Sequence, residues 1–60
     1  MELSSRIGRT ALAVLTLHGY TRYEQLTSVT ARELLSLHGI GPKAIRILEE
    51  EMAARGLSFA

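Results

Sequence analysis

Apolar side chains recur along most of this chain at the spacing of an α-helix. Between residues 44 and 52 they fall three, four and seven positions apart, which places them on one side of a helix. No stretch alternates apolar and polar residues for long enough to indicate a β-strand. The pattern therefore predicts an all-α fold of four to five helices, in one compact domain over residues 1–60.

Glycine and capping residues divide this pattern into helical segments. Thr21 with Glu24, and Thr30 with Glu33, both have the spacing of a capping box, in which each side chain bonds the backbone N–H of the other residue. Glycines at the ends of two segments fit left-handed helix termination. Helices are predicted over about residues 9–18, 22–26, 31–37 and 42–55.

The first and last of these helices differ in the apolar surface that they present. Residues 11–17 are apolar on nearly every side, which predicts a central, buried helix. The last helix has one apolar face, opposed by Lys43, Arg46, Glu49 and Glu50. Glu51 and Arg55 are spaced to form an ion pair. We expect the core contact of this helix to end before its final turn.

Two parts of the chain match each other. Residues 7–15 align with residues 40–48, with Ile, Gly, Ala and Leu identical in place, and each segment then runs on to a glycine. A competing match pairs residues 17–20 with residues 37–40 and relates two helix exits. The first match is favoured because it aligns whole turn-plus-helix units, and it predicts a pseudo-two-fold repeat.

Composition narrows the classes of function. There is no cysteine, and His18 and His38 are the only histidines, so neither a structural zinc site nor another metal site is expected. No cofactor fingerprint and no nucleophile–base pair occurs, which indicates a protein that is not an enzyme. The apolar run at residues 11–17 is too short to span a membrane. A cysteine-free chain suits the reducing cytoplasm.

The net charge of +1 does not by itself indicate a nucleic-acid partner. The positions of the charges are more informative, above all around residues 37–44, Leu-His-Gly-Ile-Gly-Pro-Lys-Ala. Here two glycines permit a sharp turn around Ile40, and Pro42 suits the first position of a helix. The unpaired N–H groups of that helix would point outward at the tip, where a phosphate is a suitable ligand.

These residues resemble a helix-hairpin-helix motif. The resemblance is carried by Leu34-Leu35 before the turn, Gly39-Ile40-Gly41 within it, and Ala44 and Ile47-Leu48 after it. The whole chain is similar in layout to the C-terminal domain of the bacterial RNA polymerase alpha subunit, a tandem helix-hairpin-helix domain. The resemblance implies a degenerate first hairpin at about residues 5–19, a connecting helix at about 22–27 and a well-formed second hairpin at about 31–56.

The resemblance also implies binding of duplex DNA through its phosphates, weakly and without sequence specificity. The implied contacts are backbone N–H groups at Gly39, Gly41 and Lys43, with Ile40 as an apolar plug that holds the turn on the core. Basic or polar side chains at His38, Arg46, Arg9 and Thr10 complete the set, the last two from the first hairpin beside Gly8. Binding this weak suggests that the chain functions within a larger protein assembly or as a homodimer.

Other interpretations of the same residues stay open. The hairpin is also compatible with a simple helix connector, and the alternative function is a protein-interaction or homodimerisation module with no nucleic-acid role. Leu57 and Phe59 either fold back onto the core or form an adhesive tail. Tyr20 and Tyr23 are expected to pack over the core rather than to stack on bases. We expect His38 and His18 to cap the last carbonyls of their helices.

Overall fold

The computed structural model describes residues 3–60, and this part of the chain is helical with no β-strand. Its radius of gyration of 9.9 Å matches the value of about 10 Å expected for a folded chain of this length. The elements, in chain order, are a 3₁₀ helix at Ser5–Ile7, α1 at Arg9–Leu17, a second 3₁₀ helix at Tyr23–Ser28, α2 at Ala31–Leu35 and α3 at Pro42–Ala54. The all-α prediction is confirmed.

The predicted helix ends are largely present. Thr30 Oγ1 accepts from the N–H of Glu33 at 3.1 Å, and the Glu33 carboxylate accepts from the N–H of Thr30 at 2.8 Å, so the second capping box is confirmed. Gly19, with φ +87°, ends α1: its N–H bonds Thr16 O, and the N–H of Tyr20 bonds Leu15 O. These two bonds form a Schellman motif, which only a residue tolerant of left-handed φ completes without strain.

The segment predicted as a helix at about residues 22–26 is a 3₁₀ helix instead. Three residues per turn place Tyr23 and Leu26 on the same side, and both are fully buried. Its start is capped by Gln25, whose Oε1 accepts from the N–H groups of Thr21 and Arg22 at 2.7 and 2.8 Å. The capping box predicted for Thr21 and Glu24 is therefore wrong by one position, because the tighter helix begins one residue later.

Helix α1 is less buried than the sequence pattern predicts. Only Ala11 and Leu15 are buried, whereas Ala13 is exposed and Leu17 is 83% exposed. The chain is short, so its few other elements cover one face of α1 and leave the rest in solvent. The prediction of a central, buried helix is wrong.

Helix α3 provides the largest share of the core. Its contact continues to Met52, which is fully buried, so the prediction that core contact ends before the last turn is also wrong. The core also takes in the N-terminal segment and every helix. Its buried members are Leu3, Ile7, Ala11, Leu15, Tyr23, Leu26, Leu34, Ile40, Ala44, Ile45, Ile47, Leu48 and Met52.

The segment after α3 folds back onto this core. Gly56 ends the helix with a second Schellman motif, in which the N–H of Leu57 bonds Met52 O at 2.8 Å. Leu57 and Phe59 then pack against the buried cluster, and the N–H of Ala60 bonds Val29 O at 2.9 Å. Of the two alternatives for Leu57 and Phe59, the structure has the folded-back one.

Candidate nucleic-acid interface

The candidate site is the turn between α2 and α3. Helix α2 ends at Leu35, two residues before the predicted end, and Ser36 caps it by donating from Oγ to Glu33 O at 2.6 Å. The chain then turns through Leu37 to Gly41, with the N–H of Ile40 bonded to Leu37 O at 3.1 Å. Ile40 is 6% exposed and belongs to the core, as expected of a plug that fixes the turn.

Gly39 is required at its position for two separate reasons. Its φ of +98° lies in the left-handed region, where residues with a β-carbon are strained. A β-carbon here would also lie 2.8 Å from Val14 Cγ2 and 3.3 Å from Thr10 Cγ2. The turn therefore packs directly on α1, and this packing accounts for Gly39 independently of any ligand.

Gly41 has neither of these requirements. Its φ of −103° and ψ of 171° are ordinary extended values that any residue adopts. A β-carbon at Gly41 would meet no atom within 4 Å. Conformation and packing thus do not require a glycine at this N-cap position, where glycine is one of several favoured residues. Its direct effect is that no side chain lies over the backbone at the tip.

Backbone donors collect at this tip. Pro42 is the first residue of α3 and has no N–H, and the first intrahelical bond at this end runs from the N–H of Ile45 to Gly41 O. Within residues 3–60, the N–H groups of Gly41, Lys43 and Ala44 have no hydrogen-bond acceptor. They point along the positive end of the helix dipole, which suits an anion.

Two basic side chains, Lys43 and Arg46, extend from the first turns of α3. Both are exposed, and neither forms an ion pair with any residue of the described range 3–60. Arg46 could have paired with Glu49 or Glu50 on its own helix, but Glu50 lies instead against Arg6, Nη2 to Oε1 at 3.5 Å. Within residues 3–60, neither Lys43 nor Arg46 is therefore held in an ion pair that an anion would have to displace.

The beginning of α1 lies beside the turn, through Thr10, the residue against which Gly39 packs. Arg9, immediately before it, is exposed and forms no ion pair within the described part of the chain. The start of α1, with Arg9 and Thr10, thus lies on the same side of the molecule as Gly39, although the two segments are far apart in the sequence. Sequence reasoning did not identify Val14 as part of this contact, and no local pattern marks a packing partner 25 residues away.

The two halves of the favoured internal match differ in backbone conformation. Gly8 and Gly41 each precede the first residue of a helix, but their φ values are +97° and −103°. A 3₁₀ turn, Ser5–Ile7, precedes Gly8, whereas the α-helix α2 precedes the turn that contains Gly41. In the competing match, Gly19 and Gly39 have similar φ values of +87° and +98°.

The histidines do not act as predicted. The side chains of His38 and His18 are exposed and form no hydrogen bond with any residue in the range 3–60, so they do not cap the last carbonyls of α2 and α1. The α1 carbonyls are instead bonded by backbone N–H groups, including that of His18 itself. His38 stands in solvent next to Gly39.

The acidic run Glu49–Glu50–Glu51 lies farther along α3. Glu51 accepts from Arg55 Nη1 and from Arg6 Nη1, both at 2.8 Å, which confirms the predicted pair with Arg55. The hydrogen bond from Arg55, and then that from Arg6, lowers the pKa of the Glu51 carboxyl.

The Arg55 guanidinium also lies 4.3 Å from the centre of the Tyr23 ring. Tyr23 is buried, so of its two possible roles the structure has core packing.

Neither a membrane-spanning helix nor a metal cluster is found in the described residues. No helix in the range 3–60 has both the length and the apolar character to cross a bilayer. Nor do any three potential ligand side chains in that range come together as a metal site would need. Comparison of the chain with protein families, curated proteins and solved structures gave no match.

Proposed function

We propose that this protein is a small cytoplasmic, non-enzymatic module that binds duplex DNA through its backbone phosphates. The contact surface is the tip of the α2–α3 hairpin, with the start of α1 beside it. In this proposal the fold is a tandem helix-hairpin-helix domain, in which the first hairpin is reduced to the 3₁₀ turn and α1. The proposal extends the resemblance drawn from residues 34–48.

The observation that carries the proposal is Gly41. Its backbone conformation and its surroundings admit a side chain, yet it has none, and its N–H lies beside the N–H groups of Lys43 and Ala44 without an acceptor in residues 3–60. A bulky anion such as a DNA phosphate needs this close approach to the backbone. The structural explanation available for Gly39 does not apply to Gly41.

The charges near the tip support the same proposal. Lys43, Arg46 and Arg9 are exposed and form no ion pair in the described part of the chain, whereas Glu50 and Glu51 lie against Arg6. Cations that are not paired within the protein attract phosphate and release its counterions. Because few side chains suited to reading base edges lie near the tip, sequence preference should be slight.

Fluorescence anisotropy with a labelled duplex of random sequence tests this function. With about two to four phosphate contacts, affinity should be micromolar or weaker and should fall about 40- to 1,400-fold between about 20 and 150 mM salt. Lys43→Gln should weaken binding and reduce the salt slope by about one contact. Arg32→Gln makes the same charge change in the first turn of α2 and should leave the affinity nearly unchanged.

A protein-interaction role is the second candidate, and one observation favours it. Leu17 is 83% exposed and Leu35 is 42% exposed, the two large apolar side chains most open to solvent in residues 3–60. Covering either side chain with a partner protein or a second copy of the chain would remove apolar area from water. Sedimentation equilibrium distinguishes a homodimer from a monomer. This second function would be favoured if the apparent mass rises with protein concentration, if Leu17→Asn abolishes that rise, and if the chain does not bind DNA.

A further inference from the structure

An open groove lies near the far end of α3 from the hairpin tip. Its volume is about 530 Å³, and its walls come from the start of α2, the second half of α3 and the segment after Gly56. That last wall is fixed by two backbone hydrogen bonds, Leu57 N–H to Met52 O at 2.8 Å and Ala60 N–H to Val29 O at 2.9 Å. The groove is therefore a built feature of the fold.

The lining of the groove is mainly small or apolar. Ala31 and Ala53 face it from α2 and α3, and their small side chains leave the space open. Leu57 and Phe59 form an apolar side, and both are only partly covered by the core beneath them. An apolar side chain of a partner could be buried here with a gain in free energy from the area removed from water.

The carboxylate of Glu49 stands at this lining. It is exposed, and within residues 3–60 it forms no ion pair, whereas the next two residues of the acidic run, Glu50 and Glu51, are paired with Arg6. The one carboxylate of the run that has no ion-pair partner in this range therefore belongs to the groove. It disfavours a phosphate there and favours a cation.

We propose that the groove binds a segment of another protein that presents an apolar side chain next to a lysine or arginine. The apolar side chain lies over Ala31 and Ala53 against Leu57 and Phe59, and the cation lies against the Glu49 carboxylate. This binding does not depend on DNA binding, because the groove and the hairpin tip are formed by different residues. A chain with both activities would join DNA to a partner protein.

The test uses two capped dipeptides, acetyl-Leu-Arg-amide and acetyl-Leu-Glu-amide, added to the isotope-labelled full chain and followed by NMR. The Leu-Arg probe should shift the signals of Ala31, Ala53, Leu57 and Phe59 with a Kd of about 1–10 mM. The Leu-Glu probe should bind at least about threefold more weakly. Glu49→Gln should lower the affinity for the Leu-Arg probe about two- to fivefold. Glu50→Gln, the same change outside the groove, should leave that affinity unchanged.

A second pair of variants tests the location. Ala53→Leu fills the groove and should abolish the shifts, while Ala54→Leu, which adds the same side chain to an adjacent exposed position off the groove, should retain them. The proposal is overturned if the groove signals do not move, if both probes bind equally, or if binding survives Ala53→Leu. It is also overturned if the same signals shift with protein concentration alone, since a second copy would then be the occupant.

Discussion

Val14 and Gly39 approach each other so closely that a single added carbon atom would collide: a β-carbon at position 39 would lie 2.8 Å from Val14 Cγ2. The two residues join the hairpin to α1, and the contact sets the position of the tip relative to Arg9 and Thr10. The orientation of the candidate interface therefore depends on a glycine that itself need not touch DNA.

Gly39→Ala should destabilise the fold by about 2–4 kcal/mol, because it combines left-handed strain with overpacking. Gly19→Ala is a matched control: its φ of +87° is similar, but no atom lies within 4 Å of its β-carbon position, so it should cost only about 1–2 kcal/mol. Chemical denaturation followed by circular dichroism measures both. Adding Val14→Ala to Gly39→Ala should recover part of the loss. Equal costs for the two glycine variants would mean that the contact with Val14 is not important.

Leu15 and Leu17 should respond very differently to truncation, although both belong to the apolar run of α1. Leu15 is fully buried, so Leu15→Ala should cost about 2–5 kcal/mol, which is enough to unfold much of a chain this small. Leu17 is 83% exposed, and Leu17→Ala should change stability by no more than about 0.5 kcal/mol. Thermal unfolding of the two variants checks the orientation of α1. Similar losses would indicate that both faces of the helix are covered.

The stability of the fold should fall in acid, in part through Glu51. Its hydrogen bonds from Arg55 and Arg6 hold the pKa of this carboxyl below the ordinary value of 4.5. The folded state therefore binds this proton less readily than the unfolded chain, so the stabilisation is present above about pH 4.5 and is lost as pH falls through the lowered pKa. Urea midpoints measured between about pH 6 and pH 3 should show this loss.

Glu51→Gln should flatten that acid-dependent loss, because the titrating group is removed. Glu49→Gln supplies the control, since Glu49 is exposed and has no ion-pair partner within residues 3–60. If the two variants lose stability in acid to the same extent, the contacts of Glu51 with Arg6 and Arg55 do not contribute to the pH dependence.

The sequence predicts the helices well where the signal is local. The capping box of Thr30 and Glu33 and the terminating glycines Gly19 and Gly56 each involve residues within five positions, and each is present. The pair between Glu51 and Arg55 is local in the same sense. Such signals are sufficient for the all-α class and for most helix ends.

What the sequence does not predict depends on contacts between distant residues. The exposure of α1 follows from how few elements are available to cover it, and the ion pair of Arg6 with Glu51 joins residues 45 positions apart. The spacing of Tyr23 and Leu26 fits an α-helix and a 3₁₀ helix equally, so the tertiary packing decides between them. For the candidate site, the pattern indicates the turn, but only the structure separates Gly39, which packing explains, from Gly41, which it does not.

Gly41→Ala isolates the function from the fold. The φ of −103° and the open space around Gly41 admit a methyl group, so the fold should stay intact. Stability should change by less than about 1 kcal/mol, because the entropy removed from the unfolded chain is offset by a poorer N-cap. It should nevertheless weaken DNA binding several-fold, because the methyl group restricts access to the N–H groups of the tip. Anisotropy and thermal unfolding of the same preparation check both parts. Unchanged DNA affinity in a stable variant would remove the main support for the proposed contact.

The most direct test of DNA binding at the hairpin tip is an NMR titration of the labelled chain with a short duplex of random sequence, first at low salt and then at higher salt. The account predicts shifts confined to the amides of Gly39, Gly41 and Lys43 and to the start of α1 around Arg9, reversed as salt is added. A spectrum that does not move at low salt, or shifts elsewhere that salt does not reverse, would contradict it.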